Sequence, residues 1–165
     1  MRPYSCKSNK ERGSVFVEFA LSAIVLTSIF TGTFQFGYTF YVYNSLVTAI
    51  SAATRYASLH ALTNGNDQTV PSSFSNDIKN IAVYGTPTPS QSQTPIAPGL
   101  STSNIAVSVR FAGAAGTSTN RPVEVTVSVT GYQVNSIFRT FTFSGKPAST
   151  IPYFGSYCSE VATCP

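Results

Sequence analysis

The sequence predicts an α+β protein in which a long N-terminal helix, membrane-spanning in its first half, packs on a small antiparallel sheet. Residues 19–54 form a run of 36 residues without a charge. Charged residues make up only 10% of the chain, against about 25% in typical soluble domains. In the second half of the chain, apolar and polar residues alternate strictly, which is typical of half-buried antiparallel strands.

The uncharged run is long enough to cross a bilayer as a helix, and we expect the transmembrane part near residues 16–38. About 20 helical residues span a hydrocarbon core of about 30 Å. The leader, residues 1–13, carries a net charge of +3 from four basic residues and one acidic residue. The positive-inside rule therefore places the leader in the cytoplasm and everything after about residue 43 outside. Six aromatic residues fit a belt at the far interface: Phe34, Phe36, Tyr38, Phe40, Tyr41 and Tyr43.

A cleaved secretory signal is an alternative interpretation of the same segment. Its apolar part far exceeds the usual core of about 7–15 residues. The first convincing small residues, Ser51-Ala52-Ala53, come late for a signal peptidase site. We therefore expect the helix to stay on the mature protein, and a secreted enzyme released by signal peptidase remains an alternative function.

Glu18 lies at the start of the apolar run, where a carboxylate is costly and usually has a functional reason. One interpretation is that it lies at the headgroup level and faces water. The other begins with Gly13, which has no Cβ and suits the extended conformation of a protease-bound segment. Cleavage between Gly13 and Ser14 would give Ser14 a free amine, on the same helix face as Glu18. The amine of one subunit could then neutralise Glu18 of a neighbour, since paired charges are less costly in an apolar medium than isolated ones.

These residues carry a resemblance to a known family. Residues 10–20 resemble a class III prepilin signal, with a short basic leader ending in Gly and an apolar helix with Glu at its fifth position. The chain is also similar to TadE-like and TadG-like minor pseudopilins of the Tad (Flp-type) type IV pilus assembly system over about residues 10–60. Gln35 departs from the family pattern, which often has an acidic residue there. The matching residues are Glu18-Phe19-Ala20, Phe36-Gly37, Phe40-Tyr41 and Arg55-Tyr56-Ala57.

The resemblance implies a structural or assembly component, a minor pilin or pseudopilin with a pilin-like fold. It implies a single-pass protein of the bacterial inner membrane whose C-terminal domain is extracytoplasmic. The implied partners are other pilin or pseudopilin subunits, Tad assembly proteins and the prepilin peptidase that would remove the leader. A bitopic envelope protein whose small sheet domain binds a partner, without a pilus role, is the alternative.

Beyond the leader, we expect a transmembrane and extended helix over residues 14–62 and an extracytoplasmic domain over 63–165. A short helix is predicted from Ser73, an N-cap candidate, to about Ala82. Four prolines among Ser, Thr and Gln predict a loop at residues 86–99. Strands are predicted at about 104–111, 122–131 and 138–144, with the extended helix covering their apolar face.

The three cysteines predict one disulfide and no metal site. Cys158 and Cys164 would both be extracytoplasmic, where an oxidising compartment permits a Cys158–Cys164 bond. Cys6 is in the leader, on the other side of the membrane. His60 is the single histidine and no CxxC pair is present, so the ligand set of a structural zinc site is missing.

Catalytic sequence patterns are also missing, so we expect no enzyme activity, cofactor or small-molecule substrate. His60 and Glu124 are each isolated in the sequence, and Glu124 is expected to face solvent on its strand. The excess positive charge is concentrated in the leader, which argues against a nucleic-acid partner, because such partners require a basic surface.

Overall fold

The computed structural model describes residues 10–63, 68–115, 120–135 and 140–158. Helix α1 spans Lys10–Leu59, and its residues belong to two compact units that divide between Thr39 and Phe40. Within the second unit, the chain continues through β1 (Leu62–Thr63) to helix α2 (Ser72–Tyr84). The predicted class is confirmed: a long N-terminal apolar helix and small antiparallel sheets form an α+β protein.

Six further strands follow α2, and they form three small sheets with β1. They are β2 (Ile105–Ala112), β3 (Arg121–Val129), β4 (Tyr132–Val134), β5 (Phe141–Phe143), β6 (Ala148–Pro152) and β7 (Tyr157–Cys158). The main sheet has the order β2-β3-β6 and is antiparallel throughout. A second antiparallel pair joins β4 to β5, and β1 pairs in parallel with β7.

The core of the second unit is formed by one stripe of α1, one face of α2 and the inner face of the main sheet. Val125, Val127 and Val129 are fully buried on β3. Because side chains alternate along a strand, the residues between them lie on the other face. The α1 residues in this core recur at helical spacing: Val42, Leu46, Ala49, Ile50, Ala53 and Ala57.

Helix α2 begins and ends one or two residues outside the predicted segment. Pro71, not Ser73, occupies the N-cap position, and proline fixes a backbone φ that leads readily into a helix. At the other end Gly85 has a φ of 79° and its N–H donates to the carbonyl of Ile81. Glycine takes this left-handed conformation without a steric penalty, and it ends the helix.

The proline-containing loop, residues 86–99, is held against the end of α2. Gln93 Nε2 donates to the carbonyl of Tyr84 at 2.7 Å, and the N–H of Ile96 donates to the carbonyl of Val83 at 2.8 Å. Ala97 from this loop is buried in the core, with 1% of its surface exposed. The loop therefore contributes an apolar side chain to the core, although its composition is mostly Pro, Ser, Thr and Gln.

The strand predicted at 138–144 corresponds to β5, but β5 pairs with β4 and not with the main sheet. The third strand of the main sheet is β6, whose residues Ala148–Ser149–Thr150 show no apolar alternation. The pairing of β4 with β5 brings Phe143 to Tyr132, with 6.2 Å between their ring centroids.

Candidate functional site

The N-terminal unit exposes large apolar side chains on all sides of α1. Phe16, Phe30 and Phe36 are 74–76% exposed. The part of α1 from Gly13 to Leu59 is long and apolar enough to cross a membrane, and none of its most apolar window is buried. An exposed apolar surface of this length is costly in water and is accommodated in a bilayer. The helix is therefore consistent with single-pass membrane anchoring.

The hydroxyl groups within this apolar segment bond to the helix backbone. Five of them donate to the carbonyl four residues earlier, at oxygen–oxygen distances of 2.7–3.0 Å. These bonds satisfy donors that would otherwise be unpaired in hydrocarbon. These five hydroxyls therefore need no partner outside the helix. The residues are Thr27, Ser28, Thr31, Thr33 and Thr39.

Gly13, Ser14 and Glu18 all lie within α1, and all three are exposed. A Cβ built on Gly13 would meet no atom within 4 Å, so the structure leaves access to this residue open. Glu18 lies one helical turn after Ser14 on the same face. Within the described part of the chain, the Glu18 carboxylate has no ion pair or hydrogen bond. The carboxylate thus remains available to an external partner.

The predicted disulfide near the C-terminal end of the sequence lies partly outside the described residues. The backbone of Cys158 ends β7, whereas Cys164 lies outside the described residues. The Cys158–Cys164 disulfide therefore stays a prediction. The leader residues 1–9 and Cys6 likewise lie outside the described residues.

The isolated polar residues of the second unit have structural partners. The His60 ring stacks on Tyr56 with 3.5 Å between centroids, and its Nδ1 lies 3.1 Å from the Tyr56 carbonyl oxygen. Glu124 is partly exposed on the outer face of β3, as predicted, and it pairs with Arg110 across the β2–β3 register at 2.7 Å. Over residues 10–63, 68–115, 120–135 and 140–158, no three His, Cys, Asp or Glu side chains form a metal-binding group.

A groove between α1 and α2 was missed by the sequence analysis. It is open to solvent and mostly apolar. On α1, residues Tyr41, Asn44 and Thr48 line it; on the other side are Ile81 and Ile96. A signal was present, because positions 41, 45, 48 and 52 share one helix face next to Ala49 of the buried stripe.

Comparison with known proteins finds a family similarity in the N-terminal part of the chain. Residues 13–55 match the family model described as TadE-like protein. No curated protein and no solved structure matches the chain. The matched segment contains Gly13, Ser14 and Glu18 and most of α1. The resemblance to the TadE-like family is therefore confirmed over residues 13–55.

Proposed function

We propose that this protein is a minor pilin or pseudopilin of a Tad-type pilus and secretion system. The observation that carries the proposal is the match to the TadE-like family on a helix with an exposed apolar surface. The match begins at Gly13, the residue after which cleavage is predicted. A structural role follows from that family, whose members are components of pilus assembly.

In this proposal the protein crosses the bacterial inner membrane once, and its second unit lies in the extracytoplasmic space. The +3 leader supports this orientation through the positive-inside rule. A prepilin peptidase would act on the cytoplasmic side, between Gly13 and Ser14. Because the bond lies within α1, the first turn of the helix must open for the peptidase to bind an extended segment.

Glu18 has a role after this cleavage. The new α-amino group of Ser14 would carry a positive charge close to the membrane surface. Glu18 is exposed and has no partner in the described part of its own chain. An amine from one subunit and Glu18 from its neighbour would neutralise each other, because an isolated charge is costly in an apolar medium. The pair would fix the axial position of one subunit against the next.

Two substitutions separate cleavage from assembly. Gly13→Leu should block processing, since a large side chain would crowd the peptidase, while membrane insertion persists. Glu18→Ala should leave insertion intact or improved, because it removes a costly charge. It should also lower the amount of protein that co-purifies with other pilus components. The measurements are the N-terminal mass, the membrane level and co-purification, compared with a Ser22→Ala control on the same helix.

Three experimental results would each contradict a different part of the proposal. A mature chain beginning at Ser14 in the Gly13→Leu variant would contradict the cleavage step. Wild-type co-purification of the Glu18→Ala variant would contradict the charge pair. Absence of the unaltered protein from any Tad assembly, despite normal processing, would contradict the proposed function itself.

A further inference from the structure

The loop after α2 presents hydroxyl groups in a regular alternation. From residue 86 to residue 94, every second residue is a serine or a threonine, and each of them is exposed. Of the residues between them, Pro87, Pro89 and Gln93 are partly buried. The loop therefore turns its hydroxyls toward solvent and these other side chains toward the protein. The exposed residues are Thr86, Thr88, Ser90, Ser92 and Thr94.

The hydrogen bonds that hold this loop in place use its carbonyl groups and Gln93. Asn80 Nδ2 donates to the Pro87 carbonyl at 2.8 Å, and Gln93 Nε2 donates to the Tyr84 carbonyl at 2.7 Å. The backbone N–H of Gln93 donates to the Ser90 carbonyl at 3.1 Å. The loop is thus fixed on the end of α2 while most of its hydroxyls take no part in fixing it.

Four of the hydroxyls are free to react. Within the ranges that the structure describes, those of Thr88, Ser90, Ser92 and Thr94 have no hydrogen-bond partner. The Thr86 hydroxyl differs, because it donates to Gln93 Oε1 at 3.2 Å. The hydroxyls of the apolar part of α1 are also bonded, in their case to the helix backbone. The loop therefore concentrates accessible, unbonded oxygen nucleophiles.

The backbone and the charge of the loop indicate the kind of modification it accepts. Thr88 and Thr94 each precede a proline, and a residue before proline favours an extended conformation, which suits binding in an enzyme cleft. Residues 80–109 contain no charged side chain, so no charged group marks the loop for a kinase. Prolines among serines and threonines are the composition of O-glycosylated segments, and a bulky sugar requires a surface position.

We propose that this loop carries O-linked sugars on one or more of its four free hydroxyls. In the transfer, the side-chain oxygen forms a bond to the anomeric carbon of a glycosyl diphosphate. The bond from that carbon to the diphosphate oxygen breaks, the diphosphate leaves with the electron pair, and the hydroxyl proton passes to a base of the transferase. The donor is carried on a membrane lipid, because the proposed function places the loop outside the cytoplasm. The inference rests on that orientation, but on neither cleavage at Gly13 nor a pilus role.

The sequence allows the loop to be isolated in one peptide. No lysine or arginine lies between Lys79 and Arg110, so trypsin releases the loop within a single fragment, residues 80–110. In the full chain purified from the membranes of its own cell, this fragment should be heavier than its sequence by whole monosaccharide residues. Fragmentation that retains the sugar should assign it to positions 88–94. Ser101 and Ser103 are internal controls that should stay unmodified, because their hydroxyls lie 2.7 Å apart and bond to each other.

Three variants test the assignment. A variant lacking all four free hydroxyls should lose the mass shift completely. Ser108→Ala should leave the shift unchanged, because it removes an exposed hydroxyl of the same fragment that lies on β2 and not in the loop. Thr88→Ser combined with Thr94→Ser keeps a hydroxyl at both positions and should remain modified. Near-ultraviolet circular dichroism of each variant checks that it is folded. The first variant combines Thr88→Val, Ser90→Ala, Ser92→Ala and Thr94→Val.

Four results would overturn the inference. The first is a loop fragment with the mass of its bare sequence. The second is a sugar found only at residues 101–108, and the third is a shift equal to phosphate. The fourth is a modified loop in a chain kept in the cytoplasm by Leu26→Arg and Ile29→Arg, which would contradict a lipid-carried donor. Processing at Gly13 is measured on the same protein: an unmodified loop on a processed chain contradicts this inference alone, whereas a modified loop on an unprocessed chain contradicts only the proposed cleavage.

Discussion

At Gly155 the backbone leaves no room for a side chain. A Cβ built there would lie 2.6 Å from the Tyr153 hydroxyl oxygen and would also collide with the carbonyl oxygen of His60. The carbonyl is fixed by the end of α1, so it cannot move aside as the tip of a flexible side chain would. We therefore expect Gly155→Ala to lower the free energy of unfolding by about 1–3 kcal/mol, as overpacking does.

The measurement for Gly155→Ala is denaturant unfolding of the detergent-solubilised protein, followed by near-ultraviolet circular dichroism of the tyrosines. Ser156→Ala is the matched control, because Ser156 is the next residue and its side chain is exposed. A Gly155→Ala variant as stable as this control would mean that the segment after β6 adjusts without cost.

Tyr153 connects the segment after β6 to the end of α1. Its hydroxyl donates to the His60 carbonyl at 2.6 Å and lies 3.1 Å from the Ser156 carbonyl oxygen. Burial raises the pKa of Tyr153 above its ordinary value of 10.0, while the backbone amide of Leu62 acts in the opposite direction. The folded state therefore binds the phenolic proton more tightly than the unfolded state, and stability falls as the pH rises above about 10.

Tyr153→Phe should remove this alkaline loss of stability from Tyr153. At neutral pH the variant should be less stable by about 0.5–1.5 kcal/mol for the lost hydrogen bond to the His60 carbonyl. Unfolding curves recorded from pH 8 to pH 11 provide the test, with Tyr84→Phe on α2, outside the apolar segment, as the control for general tyrosine ionisation. Equal alkaline slopes in wild type and Tyr153→Phe would rule out the assigned cause.

At the scale of an element, α1 contains two surfaces with different energetic roles. In the second unit Leu46 is fully buried, whereas Val47, the next residue, is 37% exposed. Removing a buried leucine costs transfer free energy and leaves a cavity. We expect Leu46→Ala to lower the free energy of unfolding by about 2–5 kcal/mol.

Val47→Ala is the internal control for this element, and it should cost under about 1 kcal/mol because the site is partly open. Chemical unfolding of both variants distinguishes the two surfaces. If the two substitutions had equal effects, the buried stripe on α1 would not be the main contact of the helix with the core.

The sequence predicts some elements of the fold and does not predict others. The apolar run predicts helix α1 and the alternating valines predict strand β3, because in each case a local sequence pattern is enough to determine the secondary structure. The residues of β6, by contrast, are small and polar at most positions, and the strand exists because β3 supplies an edge to pair with. That pairing is a long-range event with no local signal. Phe141 and Phe143 do indicate a strand, but their pairing with β4 is a tertiary contact that alternation alone does not specify.

The candidate site was more predictable than the sheet. Gly13, Ser14 and Glu18 lie next to one another in sequence and share one helix, so no tertiary contact is needed to bring them together. The groove formed by Tyr41, Ile81 and Ile96 required the packing of α1 against α2 and the loop, which a linear pattern does not specify.

At the scale of the whole molecule, the property to be measured is the membrane topology, that is, the side of the membrane on which the second unit lies. We predict that the second unit is extracytoplasmic, on the basis of the +3 leader before the uncharged run. A reporter that is active only in the cytoplasm, fused after Pro165, should be silent. The same reporter fused to the N-terminus is the control and should be active. Activity of the C-terminal fusion would reverse the orientation.

The same orientation bears on the predicted Cys158–Cys164 disulfide. In an oxidising compartment both thiols should be blocked to alkylation in the unreduced, denatured protein, whereas both should react after reduction. Full labelling of Cys158 and Cys164 without reduction would contradict the disulfide.

The parallel pairing of β1 with β7 has a consequence for the timing of folding. Leu62 donates its N–H to the Ser156 carbonyl at 3.1 Å, and the Phe154 N–H donates to the Ser58 carbonyl at 2.8 Å. These bonds join the segment directly after α1 to residues almost a hundred positions later. In the proposed orientation, residues near 60 cross the membrane before those near 157, so their pairing cannot form at once. The pairing of β1 with β7 then forms only after nearly all of the second unit has crossed, and until that point its apolar surfaces stay exposed.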